Sequence, residues 1–373
     1  MGDRELTVVS GAVIACRLFD VADTIDLGKA EDLWRERLHT SVVRSRLVFT
    51  PPKAVAFGVP PLEIPLESSP ICLEDGEVRA NATARLYDFG VTRLAIRVAV
   101  DNMLWTDFTK RVIAVDRSIG PSANAAIWNQ LLGSVREIFA EAFVRPSKAD
   151  IEEDYLIGMV RAFDEALTAD ELQQRINLVP LLSGEERTLS DGARRDLLRQ
   201  RFSYYTDDLV VLTWDRAFIY EPRGDSDVID VLDVANAQLL EMRYYDQVLD
   251  AELPRMYALV ETTQRTRPFL TAGRFANLAR RLYALVAEVT ELRERVDNAL
   301  QVTEDVYLAR IYVSALELFR ITAVNSAVER KLAIIRDTYA ALYEEASAGR
   351  AALMEATIIV LIALEIVLAV WRP

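Results

Sequence analysis

The sequence predicts an α+β protein: a ferredoxin-like sandwich bearing the pattern of a degenerate duplication, then an antiparallel helical extension and a C-terminal transmembrane helix. Three observations carry this reading. The first 165 residues alternate in the order strand, helix, hairpin, helix, strand, as expected when helices cover one face of an antiparallel sheet. Between 275 and 348 there is neither Gly nor Pro, and apolar residues recur at steps of 3 and 4. The chain then closes on the apolar run AALMEATIIVLIALEIVLAVWRP. The implied divisions are 1–165, 166–260, 274–350 and 351–373.

Residues 6–19 are largely apolar and β-branched and read as a strand. Residues 29–38 read as a short helix with Leu33, Trp34 and Leu38 on its inner side. Pro51, Pro52, Pro60, Pro61, Pro65 and Pro70 then forbid a long helix and leave short extended pieces at 54–57 and 62–64. Residues 78–89 and 91–100 form a hairpin about Asp88-Phe89-Gly90, with Leu94, Ile96, Val98 and Val100 alternating toward one face. Residues 124–143 are helical through the stripe Ile127, Leu131, Val135, Ile138 and Phe139, and 155–163 return to strand. The same scheme repeats in shorter form: helices in 169–199, a hairpin at 209–214 and 216–220, and a helix at 226–249.

In the extension, Leu278, Leu282, Leu285, Val289, Leu292 and Val296 form one stripe, and Val328, Leu332, Ile335, Tyr339, Leu342 and Ala346 another. With a break at 301–305 they predict two antiparallel helices, the second running through Gly349 into the apolar tail. As a helix, 351–371 is about 30 Å long, the thickness of a bilayer's hydrocarbon core. Its anchor residues are Glu355, Ile358, Ile359, Leu361, Ile362, Glu365, Ile366, Leu368 and Trp371, the last placed for the far interface. Arg330, Lys331, Arg336 and Arg350 precede the run and only Arg372 follows, which predicts a single pass of a bacterial inner membrane with the body in the cytoplasm. Glu365 lies inside the span, where a carboxylate needs a partner, a proton or water. The expected partners are membrane lipid and, through the C-terminal helices, a second copy or another membrane protein.

Composition narrows the chemistry. A net charge of −14 argues against a generally phosphate-binding surface but leaves room for a local basic patch. Cys16 and Cys72 are the only thiols and His39 the only imidazole, so a disulfide framework and a His-rich metal site are excluded on count. Asp3, Arg4 and Glu5 stand where a signal peptide carries net positive charge, so export is not expected. Neither a Gly-x-Gly-x-x-Gly nor a Walker loop occurs. Glu152, Glu153 and Asp154 form one acidic cluster and Asp207 and Asp208 another, but neighbours on a strand point to opposite faces and cannot share a metal without a turn. Arg194, Arg195, Arg199 and Arg201, with Tyr204 and Tyr205 close by, are the densest basic group and the candidate contact for nucleic acid or another partner. The expectation is a scaffold or assembly factor rather than an enzyme, with no cofactor. The alternatives are a metal-dependent enzyme built on the acidic clusters and an RNA-binding module.

Three segments resemble a known family, the proteins named "required for meiotic nuclear division". They are Leu86-Tyr87-Asp88-Phe89-Gly90-Val91; Arg201-Phe202-Ser203-Tyr204-Tyr205 with the strand at 208–212; and the helix that runs from Leu332 through Glu355 to Glu365 with two tail glutamates ten residues apart. The resemblance implies a membrane-anchored protein without enzyme activity. For mitochondrial members it implies support of organellar translation at the inner membrane.

Overall fold

The computed structural model of the chain describes residues 4–38, 56–57, 60–67, 69–74, 76–123, 126–147, 151–185, 187–224, 227–264, 300–301 and 305–371, with scattered positions between 277 and 290. His39 and the first apolar stripe of the extension, Leu278 to Val296, lie outside the described residues.

The chain opens with β1 (Thr7–Asp20), β2 (Ala22–Ile25) and α1 (Leu27–Leu38), then the short β3 (Ala56–Phe57), β4 (Leu62–Pro65) and β5 (Ser69–Leu73). The hairpin β6 (Gly76–Leu86) and β7 (Val91–Leu104) leads into α2 (Trp105–Ile119), α3 (Ala126–Ile138), β8 (Phe143–Pro146) and β9 (Glu152–Phe163). Then come α4 (Ala169–Arg175), α5 (Val179–Ser183), α6 (Asp191–Leu197), β10 (Gln200–Phe202), β11 (Leu209–Leu212) and β12 (Arg216–Tyr220). The remainder is α7 (Asp227–Gln264), β13 (Leu300–Gln301), α8 (Val306–Leu318) and α9 (Ile321–Trp371).

One mixed nine-stranded sheet organises these elements in the order β10-β11-β12-β9-β1-β7-β6-β4, with β5 also paired to β6. Among its pairs only β12 with β9 is parallel. The stretch expected as a second α+β region therefore does not build its own sheet. Its three strands extend the first one, because the free edge of β9 offers unpaired backbone groups that β12 satisfies.

β1 sits in the middle, paired to β7 on one side and β9 on the other. Its residues are buried almost without interruption, which explains the continuous apolar run: a strand covered on both faces has no solvent side to make polar. Val13, Ala15, Ile96, Val98, Leu156, Val160 and Phe218 face a core shared with α2, α3 and α5. On the opposite face Ile14, Cys16, Tyr155 and Ile157 are buried too; there Tyr155 meets Phe319 edge-on at 5.6 Å, and α7 reaches the sheet through Asp230 and Asp233. Helices cover both faces, not the single face expected.

α2 was missing from the expected elements. Its buried residues Trp105, Phe108, Val112, Val115 and Ile119 keep helical spacing, yet it follows β7 with no Gly or Pro between them. The helix instead follows directly on Leu104, whose extended backbone (φ −60°, ψ 147°) ends the strand; Asn102, inside β7, has φ 49°. The hairpin turn is as expected. Gly90 has φ 98°, the Tyr87 N–H donates to Val91 O at 2.9 Å, and Val21 N–H donates to Gly90 O at 3.1 Å.

The chain forms two compact units, Met1–Glu241 with Arg295–Thr322, and Met242–Glu294 with Ala323–Pro373. In the second, Lys331 Nζ lies 2.7 Å from Asp246 Oδ1 and 2.6 Å from Asp250 Oδ1, and Val328, Leu332 and Ile335 of the expected stripe are buried. α9 runs unbroken for 51 residues and carries the extension through Gly349 into the apolar tail, as the sequence implied.

Among the described residues no single helix is long and apolar enough to cross a membrane, and the bent pair of α8 with the first part of α9 passes by length and composition only; the side chains at 345–353 and 368–370, which border the apolar tail, lie outside the described residues. That pair buries Leu308, Ile311, Ala315, Val328, Leu332 and Ile335 within the protein, which is how core helices behave.

Candidate functional site

The tail is the part of the protein whose surface least resembles the rest. Ile358, Ile359, Val360, Leu361, Ile362, Leu364, Ile366 and Val367 are each between 51% and 65% exposed, and Trp371 reaches 84%. Glu355 and Glu365 are exposed on the same helix; the side chain of Leu368 lies outside the described residues. The apolar residues go round the whole helix, so no amphipathic stripe selects one side for packing.

The Arg and Tyr residues singled out in the sequence gather where β10 forms one border of the sheet. Arg201 Nη1 donates to Gln173 Oε1 at 2.7 Å, and Arg195 Nε donates to the Asp191 carbonyl at 3.2 Å. Tyr204 packs against Tyr205 at 4.7 Å and Tyr307 at 5.3 Å, while the Arg223 guanidinium stacks 3.5 Å from the Tyr205 ring centre. Asp208 organises the turn: its carboxylate accepts from the backbone N–H groups of Tyr204 at 2.7 Å and Tyr205 at 3.1 Å. Asp208 thus serves the turn and, at 3.5 Å, Arg223.

The other acidic cluster is divided as strand geometry requires. Glu152 pairs with Arg17 at 3.0 Å, and Glu153 is buried on the other face of β9. Burial raises the pKa of Asp154 against the pull of Arg17. Arg17 also lies 5.0 Å from the Trp128 ring centre and donates to the Gly120 carbonyl at 3.2 Å. Among the described residues no three Asp, Glu, His or Cys side chains are grouped so as to hold a metal ion.

Sequence reasoning missed the most deeply buried ionic group. Arg85 and Arg93 stand directly opposite each other on β6 and β7, and Asp230 and Asp233, one helical turn apart on α7, lie over them. Arg85 Nη1 contacts Asp230 and lies 3.3 Å from Asp233 Oδ2, and Arg85 Nη2 lies 2.7 Å from Glu63. Arg93 Nε lies 3.0 Å from Asp233 Oδ1, near enough for charge attraction though outside hydrogen-bond angles, and Arg93 Nη2 lies 3.2 Å from Cys16 Sγ. Burial works against the charge of Arg85, yet Asp230, Tyr87, Asp233 and Glu63 hold its pKa well above the usual value. Burial pushes Asp233 up to about 6 despite both guanidiniums, and raises the Cys16 thiol. The available signal was the row of aspartates at three-residue spacing, Asp227, Asp230 and Asp233, in the largely apolar helix segment DVIDVLDVANA.

Asp20 is a second carboxylate held against its preference. It is 5% exposed, and burial raises its pKa to about 6 despite a hydrogen bond from Ser147 Oγ at 3.0 Å and the nearby charge of Arg136. An acid whose folded pKa exceeds its unfolded value of about 3.9 binds more protons when folded, so stability falls as pH rises from about 4 to about 6. The Asp20→Asn protein should match the wild type in urea denaturation at pH 4. At pH 7 it should be more stable by about 1–2 kcal/mol.

Comparison with known proteins bears on this architecture. Residues 10–227 match the family model described as the N-terminal domain of the uncharacterized protein MJ0711. The chain belongs to this MJ0711 N-terminal domain family. The matched span runs from β1 to the start of α7 and so takes in every long strand of the sheet. The uncharacterized protein MJ0711 of Methanocaldococcus jannaschii is 25% identical over 236 residues, covering 62% of this chain and 71% of the relative. No solved structure matches.

Membership in the MJ0711 family overturns the resemblance to the "required for meiotic nuclear division" proteins. Two of the three segments behind it fall inside the MJ0711 span, and both are turns with local requirements: Gly90 at positive φ in one, the Asp208-capped tyrosine turn in the other. Turn chemistry recurs in unrelated chains. The third segment lies in α9, beyond the match.

Proposed function

We propose that this chain is a membrane-tethered scaffold or assembly factor, with an α+β body in the cytoplasm and α9 ending in a single-pass anchor, and that it performs no chemistry of its own. We further read the four long strands, ordered β9-β1-β7-β6, as a ferredoxin-like core that β10–β12 extend at one edge. The observation that carries the tether is the apolar surface of the tail, exposed on all sides of a continuous helix. Folded proteins seldom leave so contiguous an apolar area in water. Lipid, or a matching helix within lipid, removes it from water without requiring an amphipathic stripe. The organellar translation role rested on the overturned resemblance and is not carried further.

Flotation through a density gradient with vesicles tests the tether. The full chain is expected to rise with the lipid and to resist extraction by carbonate, whereas a chain ending at Gly349 stays at the bottom as a folded protein. If the full chain stays at the bottom as a lipid-free oligomer, the tail is an assembly helix and the tether is wrong. Crosslinking in the same vesicles identifies whether a second copy covers the tail.

A further inference from the structure

Arg17, Arg85, Arg216 and Arg223 each face a carboxylate, as expected in a chain of net charge −14: Glu152, Asp230, Asp116 and Asp208 respectively. Arg194 and Arg201, both exposed, are arranged differently. They line one small cavity, of about 50 Å³, set between α4, the 176–178 connection, α6 and β10, together with Gln173, Ile176, Asn177, Leu178 and Leu198. Arg201 takes a neutral partner there, the Gln173 side-chain carbonyl at 2.7 Å, which orients the guanidinium and leaves its charge intact. Asn177 is fixed by accepting the Val179 N–H at 3.2 Å, so its amide group remains to donate. Asp191 and Asp196 of α6 make no ion pair with either arginine.

We propose that this cavity is a seat for a phosphoryl oxyanion, bound by Arg194 and Arg201 with Gln173 and Asn177 as orienting amides. Two guanidinium forks and neutral amides, with no carboxylate among the lining residues, match the charge and the planar donor pattern that phosphate oxygens require. A carboxylate-lined cavity would take a cation instead. The small volume fits a headgroup-sized anion and not a base or sugar, which would have to lie outside on exposed Tyr204, Tyr205 or Trp214. The phosphoryl group could belong to a free phosphate or to a phospholipid headgroup; the chemistry at the seat is the same.

Isothermal calorimetry on the full chain in neutral detergent micelles tests this, with inorganic phosphate in one arm and glycerol 3-phosphate in the other. Saturable binding is expected in at least one arm, weakened about tenfold or more by Arg194→Ala or Arg201→Ala and also by Arg201→Lys, which keeps the charge but loses the fork. Arg199→Ala, outside the cavity, should change affinity by less than about twofold. Tighter binding of glycerol 3-phosphate assigns the seat to a lipid headgroup, and equal or weaker binding assigns it to free phosphate. Absence of saturable binding in both arms overturns the proposal, as does equal weakening by Arg199→Ala and Arg201→Ala, the mark of a diffuse basic surface. None of these outcomes depends on the tail entering lipid.

Discussion

Replacing Asp233 by alanine is expected to destabilise the body by about 3–5 kcal/mol, because it strands the Arg93 guanidinium in a site where no water replaces the lost charge. Arg93 is 5% exposed and Asp233 2%, and each is the other's nearest opposite charge. The loss should appear in urea denaturation as a lower midpoint with an unchanged slope. Removing both charges is a different experiment. Arg93→Met with Asp233→Leu takes away the desolvation penalty along with the attraction, so the double variant should regain most of the stability lost in the single one. If both proteins lose the same amount, the pair contributes through shape and not through charge.

The second large effect is expected at Gly90. Its φ of 98° is a region that L side chains rarely adopt, and an added Cβ would lie 1.7 Å from the Ala22 carbonyl oxygen. That oxygen is backbone, in a strand that cannot retreat without breaking the hydrogen bond from Val21 N–H to Gly90 O. Gly90→Ala should therefore cost about 3 kcal/mol or more, well beyond the usual penalty for the backbone angle alone. Gly76→Ala provides the comparison. It also has a positive φ, 125°, but no atom within 4 Å of its Cβ position, so it should show the angular penalty without the clash.

Local pattern made much of the fold legible. β1, the β6–β7 hairpin, α3 and β9 each announce themselves by runs or alternation that a few neighbouring residues suffice to define. The joining of β12 to β9 is different in kind. It matches Leu156 with Arg216, sixty residues on, and nothing near either position states that the two edges meet. The same holds for the buried ionic group, where Arg85 and Asp230 are visible as charges in apolar contexts but not as partners. Of the basic residues near β10, the sequence identified the cluster but not its division. Only geometry separates Arg194 and Arg201, which share a cavity, from Arg195 and Arg199, which do not line it. The family likeness erred for a related reason, since turns and apolar helices look alike wherever the same backbone constraints apply.

The first compact unit is discontinuous: the polypeptide leaves it at Glu241 and returns at Arg295–Thr322 to supply α8. During synthesis from the N-terminus, the sheet surface around Tyr155 must wait for that late-arriving segment and its Phe319 ring before it is fully shielded. A nascent chain stalled before then would display a sticky β-surface to its neighbours, which makes the interval between making α7 and making α8 the period of greatest aggregation risk.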